Sequence, residues 1–269
     1  MAEPTSTRPR IRLRIGCAGW SIATAQQPLF DSGASLLERY ASRFDAVEIN
    51  SSFYRPHRPQ TYERWAAAVP ADFRFTLKMP RTISHHARLR KAEPLLDDFL
   101  AQVAPMGHKL GCLLLQLPPS LAFDGRVADA FFKRLRARWN GGVACEPRHA
   151  SWFAGPADDL WLRYRLARVG ADPAPCPAAR HATGEPALRY WRLHGSPRTY
   201  YSAYDDDALH AVATQVSKET PDGAEAWVIF DNTAHGHAIP DALRLQQLMA
   251  APATEKQVQA RAVRKRSRA

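Results

Sequence analysis

Acidic, basic and imidazole side chains stand at the ends of short apolar runs in this sequence. Carboxylates and imidazoles can move protons at neutral pH, and a lysine with a depressed pKa can form a Schiff base with a carbonyl substrate. We therefore predict catalytic roles for Glu48, Lys78, Glu146 and His194. Lys78 also belongs, with two arginines, to a set of cations suited to holding a phosphate or carboxylate group: Lys78, Arg148 and Arg192.

Aromatic and polar residues near the same run ends are candidates for contacts with a substrate. Aromatic rings can wall an apolar pocket or stack on a ring of the substrate. The predicted substrate-binding residues are Trp20, Asn50, Tyr54, His85, Gln116, Arg148, Trp152, Arg192, Tyr204 and Asn232. Any single aromatic residue is also what a hydrophobic core would contain, so the prediction depends on the set as a whole.

Arg192, His194 and Gly195 form the predicted site for the negative group of a substrate. Arg192 and His194 are two residues apart, so on a strand both side chains point to the same face. Gly195 permits a close approach of the backbone, and three hydroxyls that could close over a ligand follow it: Tyr200, Tyr201 and Tyr204. In the alternative interpretation the charges form a buried ion-pair lattice, with the candidate pairs Arg192–Glu48, Arg192–Asp231, Glu48–Lys78 and Glu146–Arg148.

We predict no cofactor and no metal ion. A divalent metal is the less favoured alternative, because three nearby cations would oppose it; its ligands would be Glu48, Glu146, His194 and Asp231. A glycosidase with Glu48 and Glu146 as its carboxylate pair is also less favoured. The four cysteines form no CxxC pair, which predicts small, buried, reduced residues, three of them beside apolar runs: Cys17, Cys112 and Cys145.

Eight short apolar runs predict the strands that would position these residues. They lie at Ile11–Gly16, Ala46–Asn50, Phe73–Met79, Leu110–Leu117, Gly142–Glu146, Ala167–Asp172, Leu188–His194 and Ala226–Asp231. Between them apolar residues recur at helical spacing, in residues 36–44, 95–103, 127–139 and 243–249. The alternation predicts an α/β protein with a single (β/α)8 TIM-type barrel. An open doubly wound sheet is disfavoured, because the first run continues into Gly16-Cys17-Ala18-Gly19-Trp20 and not into a GxGxxG turn.

The 269 residues are expected to hold one domain between two basic ends. We predict a disordered N-terminal segment at 1–10, the barrel at 11–250 and a basic disordered tail at 251–269. Much of the net charge of +11 lies at the ends, since residues 255–269 alone hold six Lys/Arg and one glutamate. Such a tail could bind a nucleic-acid backbone. No signal peptide or membrane span is recognisable, so we expect a cytoplasmic protein without membrane contact.

Seven stretches, in order along the chain, resemble the YecE-like family, domain of unknown function 72. They are GCAGWS at 16–21, FDAVEINSSFYRPH at 44–57, FRFTLKMPRTISHHARL at 73–89, LLLQLPPSLAFD at 113–124, CEPRHASWF at 145–153, RLHGSPRTYYSAY at 192–204 and FDNTAHGHAIPDAL at 230–243. The resemblance implies a TIM-type barrel and does not supply a reaction. The family often has two asparagines where this chain has Asp231 and Asn232, so the resemblance assigns no role to Asp231.

An enzyme that acts on a small anionic substrate at the carboxyl ends of the strands is the favoured function. One alternative is a nucleic-acid-associated protein that uses the barrel rim and the basic tail. Another is a barrel that binds a ligand without catalysis. The residue types alone do not separate these three, because each needs the same ring of polar groups at the mouth.

Overall fold

The computed structural model describes residues 11–250, which form a barrel of parallel strands with helices around it. The segments predicted to be disordered, 1–10 and 251–269, lie outside the described residues. The predicted α/β class and TIM-type barrel are confirmed by the order and closure of the parallel strands.

One sheet contains all the strands of the described residues. They are β1 (Arg12–Ala18), β2 (Ala46–Ile49), β3 (Arg74–Lys78), β4 (Leu110–Leu117), β5 (Gly142–Pro147), β6 (Ala167–Arg168), β7 (Gly170–Asp172), β8 (Thr183–Gly184), β9 (Leu188–Leu193) and β10 (Glu225–Phe230). The pairing from β9 through β10 and β1 to β5 is parallel throughout. The strands are nearly continuous apolar runs buried on both faces, which is typical of a parallel sheet covered by helices.

The barrel closes at the sixth strand position, where one stretch of chain pairs with the strands on both of its sides. β6 pairs in parallel with β5, and β7, which begins two residues further on, pairs in parallel with β9. Gly170 lies at this change of partner, where a Cβ atom would come within 2.7 Å of Trp191 and 2.8 Å of the Arg180 carbonyl oxygen. The run can therefore pass from one neighbour to the other because it has no side chain there.

The helices of the described residues are α1 (Leu36–Ala41), α2 (Ser51–Tyr54), α3 (Pro59–Ala67), α4 (Glu93–Val103), α5 (Gly125–Arg138), α6 (Gly155–Arg163), α7 (Asp206–Glu219) and α8 (Ala238–Ala250). The sixth unit departs from the regular pattern. A 3-10 turn, Pro177–Arg180, and the short β8, antiparallel to β6, stand where an α-helix would follow. Three prolines in residues 173–177 remove the backbone donors that an α-helix would need. No helix within residues 11–250 is both long and apolar enough to cross a membrane.

Two apolar clusters divide the core, because side chains alternate between the two faces of each strand. The larger cluster lies between the sheet and the helices and includes Ile15, Phe75 and Val228. The smaller cluster, which we call the apolar plug, fills the barrel: Ala46, Cys112, Leu114, Ala144, Ala167, Val169, Leu188, Tyr190, Trp227 and Ile229. The plug closes the interior below the carboxyl ends of the strands, so the next layer of side chains faces the open end of the barrel.

The cysteines are free thiols, and the three beside apolar runs are buried as predicted: Cys17, Cys112 and Cys145. Burial raises the pKa of Cys17 to about 12, and it raises the pKa of Cys145 well above the ordinary thiol value. The nucleophile of a cysteine is its thiolate. These thiols are therefore packing residues of the core.

Candidate active site

The charged residues form the layer directly above the apolar plug. On β9, Tyr190 belongs to the plug and Arg192 follows two residues later, and His194 follows after two more, directly beyond the end of the strand, so all three point into the barrel. Neighbouring strands add further polar residues at the same level: Glu48, Lys78, Gln116, Glu146 and Asp231. Because the strands are parallel and in register, these groups meet at one end of the barrel.

Arg192 is the centre of this layer and has 0% of its surface exposed. Its Nε and Nη2 atoms donate to the two carboxylate oxygens of Glu48, at 2.9 and 2.6 Å. Nη1 donates to Glu146 at 2.8 Å, and Nη2 also donates to Asp231 at 2.9 Å. Tyr190 adds a hydrogen bond of 3.0 Å to Glu48. One guanidinium therefore binds three carboxylates from three other positions around the barrel, in the bidentate geometry that favours arginine.

The imidazole of His194 lies between two of the same carboxylates. Nδ1 is 3.0 Å from Oδ2 of Asp231, and Nε2 is 2.9 Å from Oε1 of Glu146. A doubly protonated ring satisfies both contacts, whereas either neutral tautomer would set a lone pair against a carboxylate. Burial opposes the charged ring, but the carboxylates outweigh it and raise the pKa of His194 above its ordinary value of 6.5.

We call Glu48, Glu146, Arg192, His194 and Asp231 the buried ion cluster. Gln116 and Arg148 each donate to Glu146, at 2.9 and 3.0 Å. Asn50 donates to Asp231 at 3.3 Å. Burial opposes ionisation of the Glu146 carboxyl, but the cations, Arg192 first, hold its pKa well below the ordinary value. The pKa of Asp231 is lowered for the same reason. Three carboxylates thus face three cations: Arg192, His194 and Arg148.

Lys78 is the further cation of this layer and has no carboxylate of its own. Its side chain is only 6% exposed, and within residues 11–250 no carboxylate oxygen lies within 4.0 Å of its Nζ atom. Nζ instead lies over the ring of Phe53, 4.3 Å from the centroid. Burial and the charge of Arg192 lower the pKa of Lys78, although the three carboxylates act in the opposite direction.

The open side of the layer is lined by two rings and a guanidinium. His85 packs edge-on against Phe53 with ring centroids 5.0 Å apart, which places it beside Lys78. Tyr200 covers His194 at a centroid distance of 5.8 Å, and its backbone has a φ of 70°. Positive φ is costly for a residue with a side chain and often occurs at functional sites. Arg148, with 23% of its side chain exposed, completes this rim.

The predicted anion site at Arg192 and His194 differs from the observed arrangement. Both side chains point the same way, as their spacing predicts, but neither has a free charge. The ion-pair alternative describes Arg192 correctly, and the Glu146–Arg148 pair is present at 3.0 Å. The Glu48–Lys78 pair is not within 4.0 Å, because both oxygens of Glu48 are taken by Arg192. The free charge is on Lys78.

Three predicted substrate-binding residues are structural in this fold. Trp152 is buried in the outer core and donates from its indole to the Leu121 carbonyl oxygen at 2.9 Å. Asn232 is buried and donates to Asp241 at 2.7 Å. Tyr204 lies under its loop, where its hydroxyl accepts from the Gly195 backbone at 2.9 Å. Each follows a strand end in the sequence, but its side chain turns away from the mouth of the barrel.

Two further aromatic candidates lie beside the mouth without reaching the buried ion cluster. Trp20 packs edge-on against Trp65 of α3, with ring centroids 5.1 Å apart. Tyr54 is 69% exposed and packs edge-on on Phe53. Tyr54 is therefore free to contact a ligand from outside, whereas Trp20 is already held by a helix.

The four predicted metal ligands surround a guanidinium. Arg192 binds three of them, and the fourth, His194, has carboxylates at both ring nitrogens. In the part of the chain that the structure describes, no group of three His, Cys, Asp or Glu side chains is arranged to hold a metal ion.

Sequence reasoning missed one residue of the site, Tyr190, which donates to Glu48 at 3.0 Å. The two-residue spacing of strand side chains could have identified Tyr190, because it stands two residues before Arg192 on the same strand face. Asp231 stands at the end of the eighth strand, and its carboxylate contacts both Arg192 and His194.

The titration of the buried ion cluster predicts a maximum in stability at weakly acidic pH. The raised pKa of His194 stabilises the fold below pH 6.5, and this contribution is lost as the pH rises through the folded-state pKa. The lowered pKa values of Glu146 and Asp231 act oppositely, since their contribution is lost as the pH falls through them. Urea unfolding from about pH 2 to 9 should show both declines. His194→Gln should remove the alkaline decline, whereas the exposed-site control His235→Gln should keep it; equal profiles for all three proteins would contradict this account.

The protein is thus a TIM-type barrel whose carboxyl end holds a buried ion cluster and a buried lysine that has no carboxylate partner within residues 11–250. The chain belongs to the DUF72 family, whose model, described as a protein of unknown function, matches residues 14–266. Most of the chain is therefore covered by the family model.

Relatives and solved structures agree with this assignment. UPF0759 protein YecE of Escherichia coli K12 is 36% identical over 156 residues, which cover 55% of this chain and 56% of that protein. The chain thus matches little more than half the length of this relative. UPF0759 protein YunF of Bacillus subtilis 168 is 24% identical over 267 residues, covering 87% of this chain and 94% of that protein.

Two crystal structures of DUF72 family proteins share the fold. The protein from Enterococcus faecalis V583 superposes with a TM-score of 0.74 at 23% identity, covering 90% of this chain and 99% of that one. The protein from Thermotoga maritima MSB8 gives a TM-score of 0.72 at 20% identity, covering 89% of this chain and 100% of that one. At these identities the likeness establishes the barrel and not a reaction.

Proposed function

We propose that this protein is an enzyme that acts on a small substrate bearing a phosphate or carboxylate group, bound at the carboxyl ends of the barrel strands. One observation carries the proposal. The three carboxylates of the buried ion cluster are already matched by three cations, and Lys78 adds one positive charge that no carboxylate neutralises. A partly desolvated positive site attracts an anion more strongly than an exposed one does.

Different residues at the rim would bind the substrate and transfer protons. Lys78 and Arg148 would bind the anionic group, and Arg148 keeps donors free because the structure gives it a single bond, to Glu146. Burial and the neighbouring charge of Lys78 lower the pKa of His85, so its ring is neutral near pH 7 and can accept a proton. The buried ion cluster would hold these groups in place, because its network crosses the whole barrel.

Binding of inorganic phosphate and of acetate, measured by calorimetry, tests this proposal. Lys78→Met should weaken phosphate binding at least about ten-fold, since a hydrogen bond to a charged group contributes roughly 1.5–3 kcal/mol. Arg148→Gln should weaken phosphate binding less, because the guanidinium of Arg148 already donates a hydrogen bond to Glu146. The exposed Lys218→Met on α7 is the matched control and should leave binding unchanged. Unchanged affinity in both rim variants would remove the proposal.

The exposed loops after β2 and β3 favour a second candidate, binding of nucleic acid at the rim. These loops carry several exposed cations: Arg55, Arg58, Arg81, Arg90 and Lys91. The exposed ring of Tyr54 lies beside them and could stack on a base. Anisotropy of a labelled single-stranded oligonucleotide should then fall steeply with salt and be reduced in Tyr54→Ala. A flat salt response would leave only the small-molecule function.

A further inference from the structure

Lys78 differs from every other buried cation in the described part of the chain. Arg14 pairs with Glu225 at 2.5 Å, and the ammonium of Lys109 donates to backbone carbonyl oxygens. Arg168 donates to the Ala178 carbonyl oxygen, and Arg192 binds three carboxylates. The Nζ atom of Lys78 makes no hydrogen bond to any residue within 11–250 and meets only a ring face. A buried ammonium is costly without hydrogen bonds, so this position favours the neutral amine more than the others do.

We propose that Lys78 is a covalent catalytic residue, whose amine forms an imine with the carbonyl carbon of a small anionic aldehyde or ketone. This inference rests on the proposed function, because the anionic group of the substrate would be bound by Arg148 while the carbonyl meets Lys78. It names the substrate class as oxo acids and phosphorylated carbonyl compounds.

The position of Lys78 suits a nucleophile. It ends β3 in the rigid layer above the apolar plug, and Phe53 limits where its ammonium can lie. The lowered pKa of its amine increases the uncharged fraction near neutral pH. Its titratable neighbours are Arg192, Glu48, Glu146, Asp231 and His85. Burial and the charge of Arg192 outweigh the three acids and lower the pKa of Lys78.

The reaction balances without a further reactant. The lone pair of Nζ attacks the carbonyl carbon, and the π electrons of the C=O bond move to oxygen. One proton passes from nitrogen to that oxygen, a transfer for which His85 is placed because it packs on the same Phe53 ring. The C–O bond then breaks with its electron pair, and the leaving hydroxyl departs as water with the proton that the Lys78 ammonium gave up to become the attacking amine. The nitrogen lone pair forms the C=N bond of a protonated imine.

Protonation of the imine would keep a positive charge where the ammonium lay. That charge would face the ring of Phe53, whose π electrons stabilise a cation at this distance. It would also draw electrons from the bond next to the former carbonyl carbon. Lys78 would therefore serve both as an attraction for the anion and as an electron sink, with no change in the net charge of the layer.

Reductive trapping with the full chain tests the inference. Glyoxylate, pyruvate and glycolaldehyde phosphate are each incubated with the protein and borohydride at pH 7, and the labelled peptide is identified by mass spectrometry. We expect an adduct of the carbonyl compound less one oxygen atom on Lys78. Labelling there should be faster than on exposed Lys218, because a lowered pKa raises the free-amine fraction of Lys78.

Two variants separate this inference from the proposed function. Lys78→Arg keeps the positive charge, so it should still bind inorganic phosphate but show no trapping, whereas Lys218→Met should be labelled like the wild type. Wild-type protein that binds phosphate through Lys78 but gives no Lys78 adduct would overturn the imine and leave the anion site standing. If the wild-type protein neither binds phosphate nor gives a trapped adduct, both the imine and the proposed function are overturned. Equal labelling of Lys78 and Lys218 would also overturn the imine.

Discussion

Arg192→Met should lower the free energy of unfolding by roughly 3–5 kcal/mol, the usual cost of removing one partner from a buried ion pair. Three carboxylates converge on the Arg192 guanidinium, and two of them, those of Glu48 and Glu146, have 1% or less of their side-chain surface exposed. Methionine fills much of the volume but leaves these charges without their common donor. Urea unfolding at pH 6 measures the loss.

Two further variants identify the cause of this loss. Arg148→Gln removes a partly exposed cation that pairs with Glu146 at the edge of the buried ion cluster, and it should cost much less. Adding Glu48→Gln to Arg192→Met removes one stranded charge and should recover part of the stability. A loss for Arg192→Met no larger than for Arg148→Gln would show that the three carboxylates find other partners.

Glu146→Gln should cause a second large loss, again roughly 3–5 kcal/mol, and should change the titration of His194. Glu146 accepts hydrogen bonds from Arg192, His194, Arg148 and Gln116, so its neutral analogue leaves three cations facing an amide. Because Glu146 is the foremost group that raises the pKa of His194, that pKa should fall. Urea unfolding and an NMR titration of the His194 ring measure the two effects.

Gln116→Ala is the matched control for Glu146→Gln. It removes one neutral donor from the same carboxylate, at 2.9 Å, and should cost only about 1 kcal/mol. The His194 titration should keep its raised midpoint in this variant. If both substitutions shift the His194 midpoint equally, the shift comes from a general loosening of the barrel mouth and not from the charge of Glu146.

Much of the fold could be predicted from the chain alone. Parallel strands covered on both faces need continuous apolar runs, and such runs identify the eight strand positions, including the weak sixth one at 167–172. The absence of an α-helix between β7 and β9 in the described structure was not predicted, although the prolines of residues 173–177 give the physical reason. The two-residue spacing of Arg192 and His194 correctly places both on the inner face of β9.

Part of the site could not be predicted in the same way. Trp152 and Asn232 follow strand ends just as Tyr54 does, but the first two are buried and the third is exposed. The direction of a side chain in a loop depends on the helices that the loop meets. Sequence periodicity does not predict the direction of such a side chain, because the residues of a loop follow no regular period.

The sequence by itself therefore determined the type of fold, the end of the barrel at which charge collects, and most of the residues that collect there. Only the tertiary structure decided which charges neutralise one another. The partners of Arg192 are Glu48, 144 residues away, Glu146, 46 residues away, and Asp231, 39 residues away. They meet because the barrel closes with a particular register, and closure is a property of all the strands together. That Lys78 has no carboxylate partner within residues 11–250 can be recognised only once those ion pairs are known.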